Sequence, residues 1–328
     1  MQSPLKRAFL FMIPNFTFID LSDISCTSHG GRFAVDTIEQ SLQFCESIAK
    51  SHYENFPVAS LLLPTTIRSH VMVIYAFSRI ADDIADEFSL EYGKEKAEHA
   101  LAIMHHFVKQ SHVGGYKGKN PLWIALQHMF EKTSLPIAPF ERLLTAFLSD
   151  VYFQFPSTMS DLLEYCHNSA NPIGELLLRL FGLWNTDIQK QSDSLCSALQ
   201  IINFIQDISI DNSKHRCYVP LEYLDSHEIV ENYLAIGEIT PNFSSAVSRL
   251  ILDADSLMRK SKILPWKISN KGLRTELLLI HCSGQRILRK CKKQELELPL
   301  KRPKLEFMDY VVIFLQMLIF MPMIVLKR

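Results

Sequence analysis

The sequence predicts an all-α fold, and three observations lead to this prediction. Most segments between Thr37 and Leu298 carry apolar residues at helical spacing, few show the alternation of a β-strand, and the breaks fall at proline or glycine. The chain has 328 residues and is 48% hydrophobic, so it can bury a sizeable core. One large helical domain is therefore expected, over residues 39–298.

The individual helices are predicted from the periodic stretches that lie between these breaks. Proline or glycine interrupts the helical period around most of them, and the glycine-rich residues 112–120 are expected to form a flexible connection. No internal repeat is present. The predicted helices are 38–54, 66–87, 91–112, 121–133, 137–153, 159–167, 172–183, 190–212, 221–225, 242–261 and 271–294.

Residues 1–38 are predicted to be a divergent or disordered extension, as chain termini commonly are. They begin with an apolar patch that resembles part of a signal peptide. Pro14, Asn15 and Asp20 interrupt the pattern, and no small-residue cleavage site follows.

Residues 299–328 are predicted to form an apolar helix. The run 310–326 is almost wholly apolar and lies at the lower limit of about 17 residues for a membrane span. Asp309 and Pro322 weaken the spanning interpretation. A helix that packs on the domain, or lies in a membrane interface with its basic end at the headgroups, is therefore favoured.

Charge and cysteine content restrict the class of protein further. A formal net charge of -1 argues against nucleic acid as a partner, because no broad basic surface is available to bind it. The seven cysteines are scattered and form no Cys-x-x-Cys pair, which gives no zinc-site signal. This pattern indicates a reducing, cytoplasmic location, with the membrane's inner face as a further site for peripheral association.

Two aspartate-rich segments lie inside otherwise apolar, helical stretches. Asp82 and Asp86 are four residues apart, as are Asp207 and Asp211, so each pair occupies one face of a helix. Like charges at this spacing repel, and buried carboxylates must be paired or bound to metal. Magnesium binds such oxygens together with substrate phosphates. The segments therefore predict a divalent cation and a diphosphate substrate.

The second segment carries the sharper signal. Gln200, Asn203, Asp207 and Asp211 form one polar stripe on a helix whose other faces are apolar, the reverse of an ordinary surface helix. A buried hydrogen-bond network without metal is the structural alternative.

Basic and aromatic residues accompany both segments. Arg79 precedes Asp82 by three residues, so it is expected to pair with the aspartates, to contact the diphosphate, or both. Beyond the second segment, residues 214–220 include Arg216 and Tyr218. Arg216 can stabilise a departing diphosphate, and Tyr218 can face a developing carbocation, although a basic loop is as often only a solvated surface.

Several of these motifs together carry a family resemblance. The run HYENFPVASLLLP at residues 52–64, the segment YAFSRIADDIADE at 75–87, and residues 199–220 from LQIIN to YVP resemble the squalene/phytoene synthase family. The first run and residues 165–175 are most similar to its bacterial hopanoid-pathway branch, hydroxysqualene synthase. The resemblance covers about residues 40–295.

The resemblance implies an isoprenoid (terpenoid) synthase helical bundle with a central apolar cavity. It assigns metal binding to Asp82, Asp86, Asn203, Asp207 and Asp211. It assigns substrate binding to His52, Phe56, Arg79, Gln200, Asn203 and Arg216, and catalysis to Tyr165, Tyr218 and Arg216. Two departures stand out: Thr65 and Thr66 replace basic residues common in relatives, and Gln206 stands where some relatives carry arginine.

In that branch, a magnesium-dependent enzyme, with manganese as an alternative ion, would ionise presqualene diphosphate and capture the cation with water. NADPH is not expected. The implied partners are the prenyl diphosphate, a membrane surface and other enzymes of squalene and hopanoid synthesis.

Three alternatives stay open. The first is head-to-head condensation of two farnesyl diphosphates to presqualene diphosphate or squalene, or of larger prenyl diphosphates to phytoene. The second is an inactive family member that acts as an assembly protein, against which the intact aspartates argue. The third is a di-iron bundle, for which only one Glu-x-x-His, at Glu164 and His167, is present where two are needed.

Overall fold

A computed structural model of the protein describes residues 34–51, 62–225, 228–236, 240–294, 298 and 302–326. These residues form helices and no β-strand, so the predicted all-α class is confirmed. They divide into two compact units. The first contains the described residues up to Ser51 together with Thr65–Tyr152, and the second contains Leu62–Pro64 and the described residues from Phe153 onward. Residues 1–33 of the predicted extension lie outside the described part of the chain.

The first unit is a cluster of helices around an aromatic core. Its helices are α1 (Ile38–Ser51), α2 (Thr65–Asp83), α3 (Ser89–Tyr92), α4 (Lys94–His112), α5 (Pro121–Lys132) and α6 (Ala138–Val151). Phe77 of α2 packs edge to face against Phe140 of α6, with ring centroids 5.2 Å apart, and against Trp123 of α5 at 6.4 Å. All three rings are fully buried. This packing fixes the end of α2, where the first acidic segment lies.

The connection 112–120 differs from the flexible loop that its glycines predict. Tyr116 is buried, its backbone N–H donates to Gln127 Oε1 at 2.9 Å, and its hydroxyl accepts from the N–H of Asn120 at 3.0 Å. Val35, at the start of the described chain, donates to the carbonyl of Lys119 at 3.0 Å. One inward-pointing tyrosine therefore holds the loop, which the glycine content alone does not reveal.

The second unit is built around one long helix. Its helices are α7 (Met159–Ser169), α8 (Asn171–Leu180), α9 (Thr186–Gln206), α10 (Ile208–Asn212), α11 (Glu228–Ile236), α12 (Pro241–Ser261), α13 (Leu264–Lys267), α14 (Lys271–Lys293) and α15 (Phe307–Leu326). Helices α7, α8, α12 and α14 all pack on α9. A Cβ on Gly174 of α8 would lie 2.5 Å from Ser192 Oγ, so glycine allows α8 to approach α9 closely.

Several predicted helix boundaries were wrong. The helix predicted at 190–212 is interrupted at Asp207, which separates α9 from α10, and the segment at 221–225 is a 3₁₀ turn over Leu221–Tyr223. The helix predicted at 66–87 changes at Ile84–Phe88 to π-helical geometry. The short helices α11 and α13 were not predicted. The end of the first predicted helix, 52–54, lies outside the described residues.

Helix α15 packs on α14 and is anchored by one buried carboxylate. Asp309 accepts hydrogen bonds from Arg286 Nε at 2.5 Å, Lys290 Nζ at 2.7 Å and the backbone N–H of Glu306 at 2.8 Å. These donors outweigh the effect of burial and lower the pKa of Asp309 to about 2. Within the described residues, no helix combines the length and apolarity that a membrane crossing requires.

Replacing Asp309 with Asn is expected to reduce the free energy of unfolding by about 2 kcal/mol at pH 7. Because the pKa is lower in the folded state than the reference value of 3.8, this stabilisation is present above pH 4 and is lost as the pH falls towards 2. The difference in free energy of unfolding between wild type and Asp309→Asn, measured by urea titration, should therefore decrease below pH 4. Glu306→Gln is the matched control, because Glu306 is exposed and only approaches Lys290 at 3.3 Å. An equal loss in both variants would contradict the anchoring role.

Candidate active site

The first acidic segment lies where α2 passes into the π-helical turn. The backbone N–H of Ser89 donates to the carbonyl of Ile84, which is the i to i+5 bond of a π-helix. Such single turns inside α-helices are frequent at functional sites. Ile84 and Ala85 are buried, whereas Asp82 and Asp86 are partly exposed. The end of α2 and the turn that follows therefore each present one of these carboxylates away from the apolar core of the first unit.

Arg79 pairs with the aspartates that follow it. Its Nη1 lies 3.4 Å from Asp82 Oδ2, as the spacing predicts, but its Nη2 makes a closer bond of 2.5 Å to Asp83 Oδ1. Sequence reasoning gave Asp83 no role, although it stands four residues after Arg79 on the same helix face. Burial raises the pKa of Asp83 to about 6, against the opposing pull of the guanidinium. Arg79 thus organises this end of α2.

The second acidic segment lies at the interruption between α9 and α10. Asp207 has φ −98° and ψ 10°, yet its N–H donates to Asn203 O at 2.8 Å and its carbonyl accepts from Asp211 N–H at 2.7 Å. The two carboxylates therefore stay one turn apart. Gln200 and the two aspartates are partly exposed and Asn203 is exposed, which argues against a buried hydrogen-bond network.

Asp207 has a cationic partner that sequence reasoning missed. Arg302 Nη2 donates to Asp207 Oδ2 at 3.1 Å, and Arg302 Nε forms an ion pair with Asp207 Oδ1. Burial raises the pKa of Asp207, while Arg302, Lys214 and Lys304 act in the opposite direction. Arg302 is 95 positions away in the chain, so no local pattern could have indicated the contact.

The loop after α10 places Arg216 beside Asp211. His215 adopts a left-handed conformation with φ 55°, which few residues other than glycine adopt readily. The turn lets the N–H of Arg216 donate to Asp211 O at 3.0 Å. The Arg216 guanidinium carbon lies 5.9 Å from the centroid of the Phe153 ring, which is a cation–π distance. The basic loop is therefore folded against the acidic segment.

Four rings, Phe153, Tyr165, Phe204 and Tyr218, form what is called here the aromatic cluster. Phe204 and Tyr218 stack with centroids 3.7 Å apart and planes 9° apart. Tyr165 lies 5.8 Å from each of them, and Phe153 lies 5.1 Å from Tyr218. Tyr165 and Tyr218 were predicted as site residues, whereas Phe153 and Phe204 were not. Phe204 follows Asn203 directly, which was the available sequence signal.

A small cavity in the second unit joins the cluster to polar groups. It is lined by Phe204, Ile208, Asp211, Arg216, Cys217, Tyr218 and Tyr233. Its lining thus includes a carboxylate, a guanidinium and aromatic faces. A guanidinium attracts an anion, and aromatic faces attract a positively charged carbon.

Backbone hydrogen bonds connect the loop that carries Tyr218 to the start of α7, which carries Tyr165. Leu221 N–H donates to Pro156 O and Glu222 N–H to Ser157 O, both at 2.9 Å. Thr158 then begins α7 with a capping box that involves Asp161. The relative positions of the two tyrosines are therefore determined by the backbone as well as by ring packing.

The donor set suits a hard divalent cation. Each acidic segment offers partly exposed carboxylate oxygens without histidine or thiolate, which favours magnesium or manganese over zinc. The Asp207 carboxylate already forms an ion pair with a cationic group, the guanidinium of Arg302. Within the described residues, no three His, Cys, Asp or Glu side chains form a group that could hold a metal. His52 and Phe56 lie outside the described residues.

Comparison with known proteins identifies the family. Residues 49–309 match squalene/phytoene synthase. Hydroxysqualene synthase of Rhodopseudomonas palustris is 30% identical over 237 residues, which cover 72% of this chain and 78% of the relative. Phytoene synthase of Thermus thermophilus is 26% identical over 216 residues, with 65% and 71% covered.

A solved structure, squalene synthase HpnC from Alicyclobacillus acidocaldarius, is similar in both sequence and fold. It is 30% identical, has a TM-score of 0.71, and covers 79% of this chain and 95% of its own. The helical fold is thus that of an isoprenoid synthase. The chain belongs to the squalene/phytoene synthase family.

Proposed function

We propose that the protein ionises presqualene diphosphate and captures the resulting cation with water, giving hydroxysqualene and diphosphate. The observation that carries the proposal is the grouping of Asp211 and Arg216 with the rings of Phe204 and Tyr218. A polar side suited to diphosphate there meets an aromatic surface suited to a carbocation. The 30% identity to a hydroxysqualene synthase supports this choice of product.

The residues fit a divalent cation, Mg²⁺ or alternatively Mn²⁺, which belongs to the proposal. Asp82 and Asp86 would hold a cation at the first segment, and Asn203, Asp207 and Asp211 would hold a cation at the second. When bound, the cation neutralises the diphosphate and promotes its departure as a Lewis acid. Magnesium commonly uses only one or two carboxylates plus substrate phosphates, so each segment supplies an adequate set.

The chain's own residues bind and orient the diphosphate. Arg216 lies beside Asp211 and offers its guanidinium to the leaving group, where a fork of donors stabilises developing negative charge. Arg79 has the same proposed role at the first segment. His52, Phe56 and Gln200 are proposed to contact the substrate.

The aromatic cluster is proposed to protect the cation after the carbon–oxygen bond breaks. Both bonding electrons leave with the diphosphate, and Tyr165 and Tyr218 present ring faces that attract the positive charge. After rearrangement, a water oxygen bonds to the cationic carbon and releases one proton to solvent. This capture needs no hydride donor, so NADPH is not part of the proposal.

Condensation of two farnesyl diphosphates to presqualene diphosphate or squalene is the second candidate function, and phytoene formation from larger substrates is the third. The similarity of this chain to squalene synthase HpnC supports the second candidate, and its similarity to a phytoene synthase supports the third.

The deciding experiment incubates purified protein and magnesium with presqualene, farnesyl or geranylgeranyl diphosphate, with and without NADPH. Mass spectrometry then identifies the products. Hydroxysqualene from presqualene diphosphate alone, without NADPH, is expected. Consumption of farnesyl diphosphate without added presqualene diphosphate would replace the proposal by the condensation function. No turnover of any of the three would instead favour an inactive assembly protein.

The proposed location is the cytoplasm, with peripheral contact to the membrane's inner face near other enzymes of squalene and hopanoid synthesis. The exposed apolar side chains of α15 support this contact. They include Phe307, Met308, Phe314, Leu315, Leu318 and Ile319. Helix α15 packs on α14, whose last turn carries Lys290, Lys292 and Lys293. An apolar helix face near basic residues is typical of binding to anionic bilayers.

Vesicle flotation tests the membrane contact. The protein is expected to float with vesicles that contain anionic lipid, and the double variant Phe314→Glu, Ile319→Glu should remain in the bottom fraction. Leu90→Glu is the matched control, because Leu90 is 78% exposed in the first unit and should not affect flotation. Wild-type protein that stays at the bottom would overturn the contact.

A further inference from the structure

Residues 302–306, called here the strap, connect to the start of α15 and lie against the end of α9. The side-chain amide of Gln206, which is 1% exposed, donates from Nε2 to Pro303 O at 2.7 Å. On the other side, Asp309 ties the start of α15 to Arg286 and Lys290 of α14. The strap is therefore fixed on both sides of Lys304. The Gln206 side chain therefore attaches the strap to the end of α9, a role that its residue type does not indicate.

This attachment places Arg302 against a proposed metal ligand. Arg302 Nη2 donates a hydrogen bond to Asp207 Oδ2, and Arg302 Nε lies within ion-pair distance of Asp207 Oδ1. Both partners are only partly exposed, with side-chain exposures of 30% for Arg302 and 26% for Asp207. Lys304 and Lys214 are near enough to act electrostatically on the same carboxylate. Asp207 thus lies among three cations of the chain.

We infer that Arg302 is a positioning residue that makes Asp207 selective for a metal–diphosphate complex over the free metal ion. The inference rests on the proposed function. The ion pair holds the Asp207 carboxylate in place before ligands arrive. A free divalent cation is repelled by Arg302 and its neighbours and competes with the guanidinium for the same two oxygens. A metal–diphosphate complex is net negative, so the same cations attract it.

The arrangement has a thermodynamic consequence. Metal and diphosphate bind cooperatively, because the diphosphate supplies the negative charge that compensates Arg302 once the metal has taken Asp207. Removal of the guanidinium should strengthen the binding of the free metal ion and weaken the binding of metal with diphosphate. A residue that only holds the strap in place would weaken both, or neither.

The test measures binding rather than turnover. Titration of Mn²⁺, followed by the electron paramagnetic resonance signal of the free ion, gives metal affinity for the full-length protein. Arg302→Gln should bind free Mn²⁺ about fivefold more tightly than wild type and bind Mn²⁺ with inorganic diphosphate about fivefold more weakly. Arg302→Lys keeps the charge but not the fork, so shifts of about twofold in the same directions are expected.

Lys304→Gln is the matched control, since it removes one positive charge from the same strap without removing the ion pair with Asp207. In Lys304→Gln, the affinities for free Mn²⁺ and for Mn²⁺ with inorganic diphosphate should each change by less than about twofold. Unchanged or weaker Mn²⁺ binding in Arg302→Gln would overturn the inference. If Arg302→Gln fails to fold, unchanged or weaker Mn²⁺ binding in Arg302→Lys would overturn the inference instead.

Turnover of the wild-type protein separates this inference from the proposed function. Wild type that converts presqualene diphosphate while Arg302→Gln and Arg302→Lys show no opposite shifts refutes the inference alone. Wild type that neither turns over a prenyl diphosphate nor binds Mn²⁺, with or without diphosphate, refutes both.

Discussion

Replacing Asp207 with Asn is expected to lower turnover by about 100-fold to 1000-fold, or ~3–4 kcal/mol in the barrier. The substitution keeps the size of the side chain but removes the charge that would hold a divalent cation. Asp82→Asn should cause a similar loss, because Asp82 is proposed to hold a divalent cation at the first segment. Rates per folded protein, measured at saturating magnesium with presqualene diphosphate and with farnesyl diphosphate, check both expectations.

Asp193→Asn provides the matched control, since Asp193 lies on the same helix α9 but outside the Gln200–Asp211 stripe. Its activity should remain within about twofold of wild type, because Asp193 precedes Gln200 by seven residues, or about two helical turns. Asp207→Asn also removes the carboxylate that pairs with Arg302. The thermal unfolding of the variant must therefore be measured together with its kinetics. Full turnover in folded Asp207→Asn would refute the metal role of this residue.

Local sequence patterns were sufficient for the all-α class and for most of the helices. Apolar residues at positions such as Val73, Phe77 and Ile80 repeat at helical spacing, so the buried face of α2 can be derived from the sequence. The pairing of Arg79 with Asp82 also follows, because the two residues are neighbours on one helix. The features that the sequence predicts well are therefore those set within one or two helical turns.

The remaining features depend on contacts between distant parts of the chain. The interruption at Asp207 falls within an unbroken helical pattern, and it coincides with the docking of the strap through Gln206 and Arg302. The stacking of Phe204 on Tyr218 likewise requires the loop after α10 to fold back. Helical periodicity contains no information on such long-range contacts, which is why Arg302 was missed.

The second large effect is expected at the aromatic cluster. Tyr218→Leu should lower the rate about 5-fold to 30-fold, because a cation–π contact in a desolvated site contributes about 1–2 kcal/mol. It should also raise the fraction of side products, since a less well-held cation is captured earlier. Tyr218→Phe keeps the ring stacked on Phe204 at 3.7 Å and should retain most of the activity. The two variants thus separate the ring from the hydroxyl.

Tyr116→Leu controls for the loss of a buried tyrosine. Tyr116 is 6% exposed, close to the 8% of Tyr218, and it packs edge to face on Phe107 in the first unit. Both leucine variants should lose stability, but only Tyr218→Leu should change the rate per folded molecule and the product distribution. Equal rate losses in Tyr218→Leu and Tyr218→Phe would show instead that the hydroxyl, through a proton or a hydrogen bond, is the group that acts on the cation.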